Sequence, residues 1–129
     1  KPGHPVGLGV VGDTPVLLLP GYPVSCIVNA VQFLRPAVHE VGRLPTPTFP
    51  TVEAELAVPI ESAAGVRRFA RVTLDESADG RTLATETDAA GASVLSSVSL
   101  TDGWVVVPEE TTRLDQGDTV AVQRWEHAL

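Results

Sequence analysis

A short turn bracketed by prolines is the stretch of this chain whose residue types and spacing best suit chemistry. Three leucines run into Pro20-Gly21-Tyr22-Pro23, and Ser25 follows. The prolines stiffen the loop, the glycine is free to adopt a positive φ, and Pro23 suits a first helical position, which needs no N–H. The first turn of a helix presents free amides and the positive end of its dipole, which attract anions. The sequence therefore predicts a site for phosphate or another oxyanion where a strand meets this helix.

Other side chains that could do chemistry are few and scattered. Cys26 is the only cysteine, so an internal disulfide is excluded, and its apolar neighbours predict an inert core thiol. His39 and His127 lack partners at the spacing of metal ligands. The sequence therefore predicts no metal site.

The charge of the chain argues against polyanionic partners. Its 129 residues carry a net charge of −7, with nine basic residues of which only Lys1 is a lysine. This balance repels nucleic acid and anionic membranes, so an anion-binding site must gather its few cations locally. The chain contains neither a run of roughly 18 apolar residues nor a signal-peptide pattern. We therefore expect a cytoplasmic protein that spans no membrane.

The residues around the turn predict a small α/β element. Apolar residues at 6–11 and 16–19 predict two strands joined at residues 12–15. From Pro23 onward apolar residues recur at helical spacing; Pro36 should kink the helix or restart it after Arg35, and Gly42 should end it. Two strands and one helix cannot close a core. Residues 1–44 are therefore expected to be the C-terminal part of a larger α/β domain.

The pattern changes beyond a stiff linker at residues 45–50. There apolar residues begin to alternate with polar ones, so that Ala70 and Val72 share one face of a strand and Arg71 takes the other. Turn signals such as Asp79-Gly80 separate five or more short strands, which favours a small barrel or sandwich. The inward residues of the first of these strands are expected to be Val52, Ala54, Leu56 and Val58. The predicted fold class is α+β, with an all-β domain at residues 51–129.

Several of these segments together resemble one family, the molybdopterin molybdenumtransferases of the MoeA and gephyrin E-domain type. The similar segments are, in chain order, Lys1-Pro2-Gly3-His4-Pro5, Leu19-Pro20-Gly21-Tyr22-Pro23-Val24-Ser25, Arg35-Pro36-Ala37, Gly65 with Arg68-Phe69-Ala70-Arg71-Val72, and Leu95-Ser96-Ser97 with Asp102-Gly103. The resemblance covers the whole chain. It implies that residues 1–44 end the family's molybdopterin-binding α/β domain and that residues 51–129 form its C-terminal β-barrel domain, domain IV.

The resemblance implies the last step of molybdenum cofactor synthesis. Members of the family take adenylylated molybdopterin and molybdate, insert the metal into the dithiolene, and release AMP with the assistance of Mg²⁺. They are homodimers, whose active cleft lies between the α/β domain of one subunit and the barrel of the other. The ligands of Mg²⁺ and nucleotide belong to earlier domains without a counterpart here. The 129-residue chain alone is therefore expected to be inactive.

The resemblance also assigns roles to residues of this chain. Lys1 matches a catalytic lysine, and Arg71 matches an arginine that faces the cleft and could clamp phosphate or molybdate bidentately. The alternative for Arg71 is a surface arginine paired with an acidic neighbour. Ser25 either meets an oxyanion or only caps the helix. The substrate-binding positions implied by the matched motifs are Gly3, Pro20, Gly21, Tyr22, Pro23, Ser25 and Ser93.

Two departures from the family keep other functions open. Tyr22 stands where the family commonly has asparagine, and Ala90 and Ala92 stand where it tends to have glutamine and serine. The two alanines remove polar side chains from a region linked to catalysis. The alternatives are a non-catalytic member that binds cofactor or oxyanion as a scaffold, and a variant that uses tungstate, which is nearly isosteric with molybdate.

Overall fold

The N-terminal part of the protein is the predicted hairpin. The computed structural model of the chain describes residues 1–87 and 95–125. Strands β1 (Gly7–Val11) and β2 (Thr14–Leu18) pair antiparallel, and Gly12 has a φ of 61°, as a two-residue turn requires. The turn is shorter than predicted, because Thr14 and Pro15 already belong to β2.

The predicted helix begins at Pro23 and changes its winding before Pro36. Helix α1 (Pro23–Asn29) leads into a π-helical turn (Ala30–Leu34), and α2 (Arg35–Val41) follows directly. A proline in a regular helix cannot donate an N–H and clashes with the carbonyl four residues earlier. The preceding turn is wider instead, and the N–H of Arg35 bonds to the carbonyl of Ala30, five residues back. The predicted restart near Arg35 is confirmed.

The end of α2 is also confirmed at Gly42, but the left-handed residue is the next one. Arg43 has a φ of 52° and donates its N–H to the carbonyl of Glu40 at 3.1 Å. Leu44 donates to the carbonyl of His39 at 2.8 Å, which completes a Schellman motif. An arginine holds a position that glycine occupies at lower steric cost.

We expect Arg43→Gly to raise the free energy of unfolding by about 0.5–1 kcal/mol, because glycine adopts the left-handed conformation without a Cβ clash. Urea denaturation followed by circular dichroism measures the change. Arg43→Ala is the matched control, since it removes the same side chain and keeps the Cβ. Equal stabilisation by both substitutions would show that the side chain, and not the backbone conformation, carries the cost.

The second part of the chain is a closed five-stranded barrel, as predicted. The elements after α2 are β3 (Thr51–Leu56), β4 (Ile60–Glu61), β5 (Arg68–Glu76), β6 (Thr82–Glu86), helix α3 (Ser96–Ser99), β7 (Gly103–Val107), β8 (Arg113–Leu114) and β9 (Thr119–Arg124). The barrel order is β3-β6-β5-β7-β9, and β9 pairs with β3 to close it. Only the β3–β6 pairing within this barrel is parallel. None of the helices in the described residues is long and apolar enough to cross a membrane.

Small and β-branched side chains fill the barrel, as suits the narrow interior of five strands. Ala70 and Val72 point inward, which confirms the predicted alternation along β5. Val58 was expected to face inward as well, but β3 ends at Leu56 and Val58 is 41% exposed. The buried interior consists of Ala54, Leu56, Ile60, Ala70, Val72, Ala84, Val105, Val107, Val120 and Val122.

A second apolar cluster joins the helix to the outer wall of the barrel. Val24 and Val28 of α1 pack with Phe69 of β5 and Trp104 of β7. The Trp104 ring lies edge-on to Phe69, with the ring centroids 5.1 Å apart, and its Nε1 donates to Gln123 at 2.8 Å. Residues 1–44 and the barrel therefore share a packed interface. That residues 1–44 end a larger α/β domain stays a prediction.

The hairpin carries apolar residues on both faces. Leu8 pairs with Leu17 and Gly7 with Leu18, so Leu8 and Leu18 point to opposite sides of the ribbon, and both are exposed. A groove of about 610 Å³ separates the hairpin from α2. Strands with two apolar faces are typical of sheets that are covered on both sides.

Candidate functional site

The Lys1–Gly3 segment lies between α1 and β5 of the same chain. The N–H of Phe69 donates to the carbonyl of Lys1 at 2.8 Å, and the backbone nitrogen of Lys1 donates to the carbonyl of Arg67. Asn29 of α1 donates its Nδ2 to the carbonyl of Gly3 at 2.8 Å. The Lys1–Gly3 segment is thus hydrogen-bonded to the barrel wall on one side and to α1 on the other.

Asn29 is a residue of this site that the sequence analysis did not select. It is 3% exposed, and its Nδ2 also donates to the carbonyl of Ser25 at 2.8 Å. A polar residue next to Val28 within an apolar helical pattern was the available signal. Buried amides are retained where they satisfy backbone groups, which is what Asn29 does for two carbonyls.

Replacing Asn29 with alanine should lower the free energy of unfolding by about 1–3 kcal/mol, because two carbonyl oxygens lose a buried donor. Asn29→Asp should cost more, since a carboxylate of the same shape faces both oxygens without an N–H to offer. Chemical denaturation of the two variants gives both values. If Asn29→Asp is as stable as the unsubstituted protein, the amide does not hold the segment.

The proline-bracketed turn leads into α1 at Pro23, as predicted, but its residues differ in their exposure. Pro20 is buried, Tyr22 is 57% exposed and Ser25 is 2% exposed. Tyr22 is the residue that precedes the helix, and its carbonyl accepts the N–H of Cys26 at 2.8 Å. The capping alternative for Ser25 is therefore wrong, because Ser25 lies inside the first turn. Gly21 does not adopt the positive φ that its freedom allowed.

Arg71 lies on the outward face of β5, opposite Trp104 on the neighbouring strand. Its carbonyl accepts the N–H of Thr87 at 3.0 Å and the Thr87 hydroxyl at 3.2 Å, which fixes the backbone there. Burial lowers the pKa of Arg71, and the Glu86 carboxylate opposes that shift. A guanidinium stays charged in proteins, so partial burial leaves a cation whose attraction for an anion is weakly screened.

Two neighbouring arginines have different surroundings. The Arg68 guanidinium forms an ion pair with Glu86 and donates to the Glu61 carbonyl. Arg67 forms an exposed ion pair with Glu109 at 3.1 Å. Lys1 lines a cavity together with Arg68, and Arg71 is not among the residues that line it.

The predicted site is brought together only in part. The Lys1 segment and β5 meet within one chain, whereas the resemblance implies a cleft closed by a second subunit. Ser93, Ala90 and Ala92 lie outside the described residues, and so does His127. Across residues 1–87 and 95–125, no three His, Cys, Asp or Glu side chains are placed to hold a metal ion.

A known protein family matches the barrel part of the chain. Residues 53–125 match the MoeA C-terminal region, domain IV. A protein named molybdopterin molybdenumtransferase 2 from Mycobacterium tuberculosis is 41% identical over 78 residues, which cover 60% of this chain and 19% of that protein. The putative molybdopterin biosynthesis protein MJ0666 of Methanocaldococcus jannaschii is 29% identical over 122 residues, 95% of this chain and 27% of that protein. The chain thus spans about a fifth to a quarter of these relatives.

Solved structures extend the similarity to the N-terminal part. The crystal structure of the molybdopterin biosynthesis MoeA protein from Pyrococcus horikoshii covers 98% of this chain with a TM-score of 0.73 and 32% identity, over 30% of its own length. A molybdenum cofactor biosynthesis protein from Pyrococcus furiosus covers 97% with a TM-score of 0.76 and 26% identity, over 42% of its own length. Both similarities include the hairpin, the helix and the barrel.

Proposed function

The chain belongs to the MoeA family and comprises its C-terminal region, and on that premise we propose that it forms one wall of a site that inserts molybdate into adenylylated molybdopterin with release of AMP. The chain's own part in this reaction is to bind and orient anionic groups. Adenylylated molybdopterin is the partner that the proposal requires, and the working protein is a cytoplasmic homodimer.

One observation carries the proposal: the Lys1–Gly3 segment is fixed against β5, and Arg71 follows Phe69 by two residues on the same outward face. Lys1 and Arg71 are thereby both placed at β5, in a chain whose net charge is −7. Lys1 supplies a mobile point charge, and Arg71 supplies a planar fork of donors that suits a tetrahedral oxyanion.

The turn at Pro20–Pro23 has a supporting role in the proposal. Tyr22 is the exposed side chain there, and Pro23 fixes the start of α1 beneath it. We assign to Tyr22, Gly21 and Gly3 contacts with the organic part of the substrate. The buried Ser25 hydroxyl would then act through the packing of the helix and not by direct contact.

Titration with molybdate and with adenylylated molybdopterin tests the proposal, using isothermal calorimetry for binding and chromatography for AMP. Binding of both ligands to the whole protein and release of one AMP per metal inserted support it. Absence of binding rejects it. Stoichiometric binding without AMP favours the scaffolding alternative, and metal analysis of the product decides between molybdate and tungstate.

A further inference from the structure

A cavity of about 370 Å³ opens beside the start of β5. Its lining residues are Lys1, Glu61, Ser62, Ala63, Val66 and Arg68. Two of these side chains are basic, in a chain that has nine basic residues in all. The proposed function does not use Arg68.

Arg68 is held at the cavity with donors to spare. One of its terminal nitrogens donates to the Glu61 carbonyl, and the other forms the ion pair with Glu86. A guanidinium has five N–H donors in a rigid plane, so two such bonds fix its orientation without exhausting its capacity. Its side chain is about one third exposed, which leaves it accessible from the cavity.

The main chain holds Lys1 at the same place. Its carbonyl accepts the Phe69 N–H at 2.8 Å, which fixes this residue beside the start of β5. Lys1 and Arg68 both line the cavity, so the fields of their positive charges add within it.

Three carboxylates near the cavity form ion pairs with different arginines. Glu61 forms an ion pair with Arg113 at 2.7 Å, and Glu109 forms one with Arg67. Glu86 is paired with Arg68, the guanidinium that lines the cavity. It is the acidic group in the described residues that competes most directly with an anion for Arg68.

We propose that this cavity is a phosphate-binding subsite, in which Arg68 is the principal donor and Lys1 a second cation. The ligand class is a phosphate group, as inorganic phosphate or as the terminal phosphate of a larger molecule. Glu86 competes with the phosphate for the Arg68 guanidinium. The subsite shares Lys1 with the proposed function but depends on Arg68, and it does not require transferase activity.

Calorimetric titration with inorganic phosphate tests the subsite on the full chain. Arg68→Gln should weaken phosphate binding at least tenfold, while the matched control Arg67→Gln, one residue away and exposed, should change it less than twofold. Glu86→Gln should tighten binding severalfold, because the competing carboxylate is gone. Equal weakening by Arg67→Gln and Arg68→Gln would reduce the effect to net charge and overturn the proposal, and so would weaker binding in Glu86→Gln.

Two further variants separate this subsite from the proposed function and from folding. Arg71→Gln should leave phosphate binding within twofold while it removes molybdate binding; loss of both would mean a single shared site and would overturn the subsite. The pair Arg68→Gln with Glu86→Gln removes both charges together, so it should keep the melting temperature and still lose phosphate. A terminal phosphate is distinguished from the free ion by titrating AMP, which should bind more tightly than inorganic phosphate if the larger molecule is the source.

Discussion

Arg71→Ala is expected to weaken molybdate binding by about 100-fold and to abolish AMP release in the whole protein, with a melting temperature within a few degrees of the original. The guanidinium lies outside the barrel interior, so truncation opens no cavity in the core. Glu86 is also ion-paired with Arg68, so it keeps a charged partner when Arg71 is truncated. Calorimetric titration, an AMP assay and thermal denaturation measure the three quantities.

Two variants sharpen this expectation. Arg71→Lys keeps the positive charge and loses the planar fork, so its molybdate affinity should fall between those of alanine and arginine. Arg67→Ala removes an exposed arginine from the same face of the chain and should bind molybdate normally. A drop of several degrees in melting temperature with normal binding in Arg71→Ala would assign Arg71 a structural role instead.

Gly103→Ala should destabilise the barrel by about 3 kcal/mol or more, which is on the order of 10 °C in melting temperature. A Cβ at Gly103 would stand 2.2 Å from the carbonyl oxygen of Gln123 and 2.9 Å from its carbonyl carbon. Both atoms belong to the backbone of β9, where Gly103 pairs with Arg124, so neither can turn aside as a side chain could. The substitution therefore forces apart β7 and β9, two neighbouring strands of the barrel.

Gly9→Ala is the matched control for this substitution. Gly9 also lies in a strand, and a Cβ there would meet nothing within 4 Å. The melting temperature of the Gly9→Ala variant should stay the same or rise slightly, because alanine loses less conformational entropy on folding than glycine. If both alanine variants melt alike, the β7–β9 contact tolerates the extra carbon and the steric account is wrong.

The local pattern of apolar and polar residues was sufficient to predict the strands and the helix, but not how the strands pair to close the barrel. The alternation along residues 68–74 gave β5 its inward and outward faces, and Pro23, Pro36 and Gly42 gave the limits of the helix. The parallel contact between β3 and β6 joins Glu55 to Leu83, and no nearby residue signals such a pairing. Pairings distant in sequence depend on how the remaining strands pack, which a short window of sequence does not contain.

Sequence motifs were sufficient to select some residues of the candidate site, but the contacts between distant residues could not be predicted from them. The Lys1–Gly3 segment and Arg71 were selected from the resemblance, and β5 does carry both regions. The role of Asn29 depends on a carbonyl 26 residues away, and that of Arg68 on Glu86 across the β5–β6 end, so neither could be read from neighbouring residues. The burial of Ser25 likewise follows from the helix packing on the barrel wall, which is a tertiary contact.

The hairpin of β1 and β2 exposes apolar side chains on both faces, and this affects the free energy with which another element would pack against it. Each square ångström of its leucine and valine surface that is shielded from water releases on the order of 25 cal/mol. The side chains of Leu8, Val10 and Leu18 are mostly exposed to solvent, so most of this apolar surface is available for burial. An element that packs against both faces of the hairpin would be stabilised chiefly by the burial of this apolar surface, with little need for salt bridges.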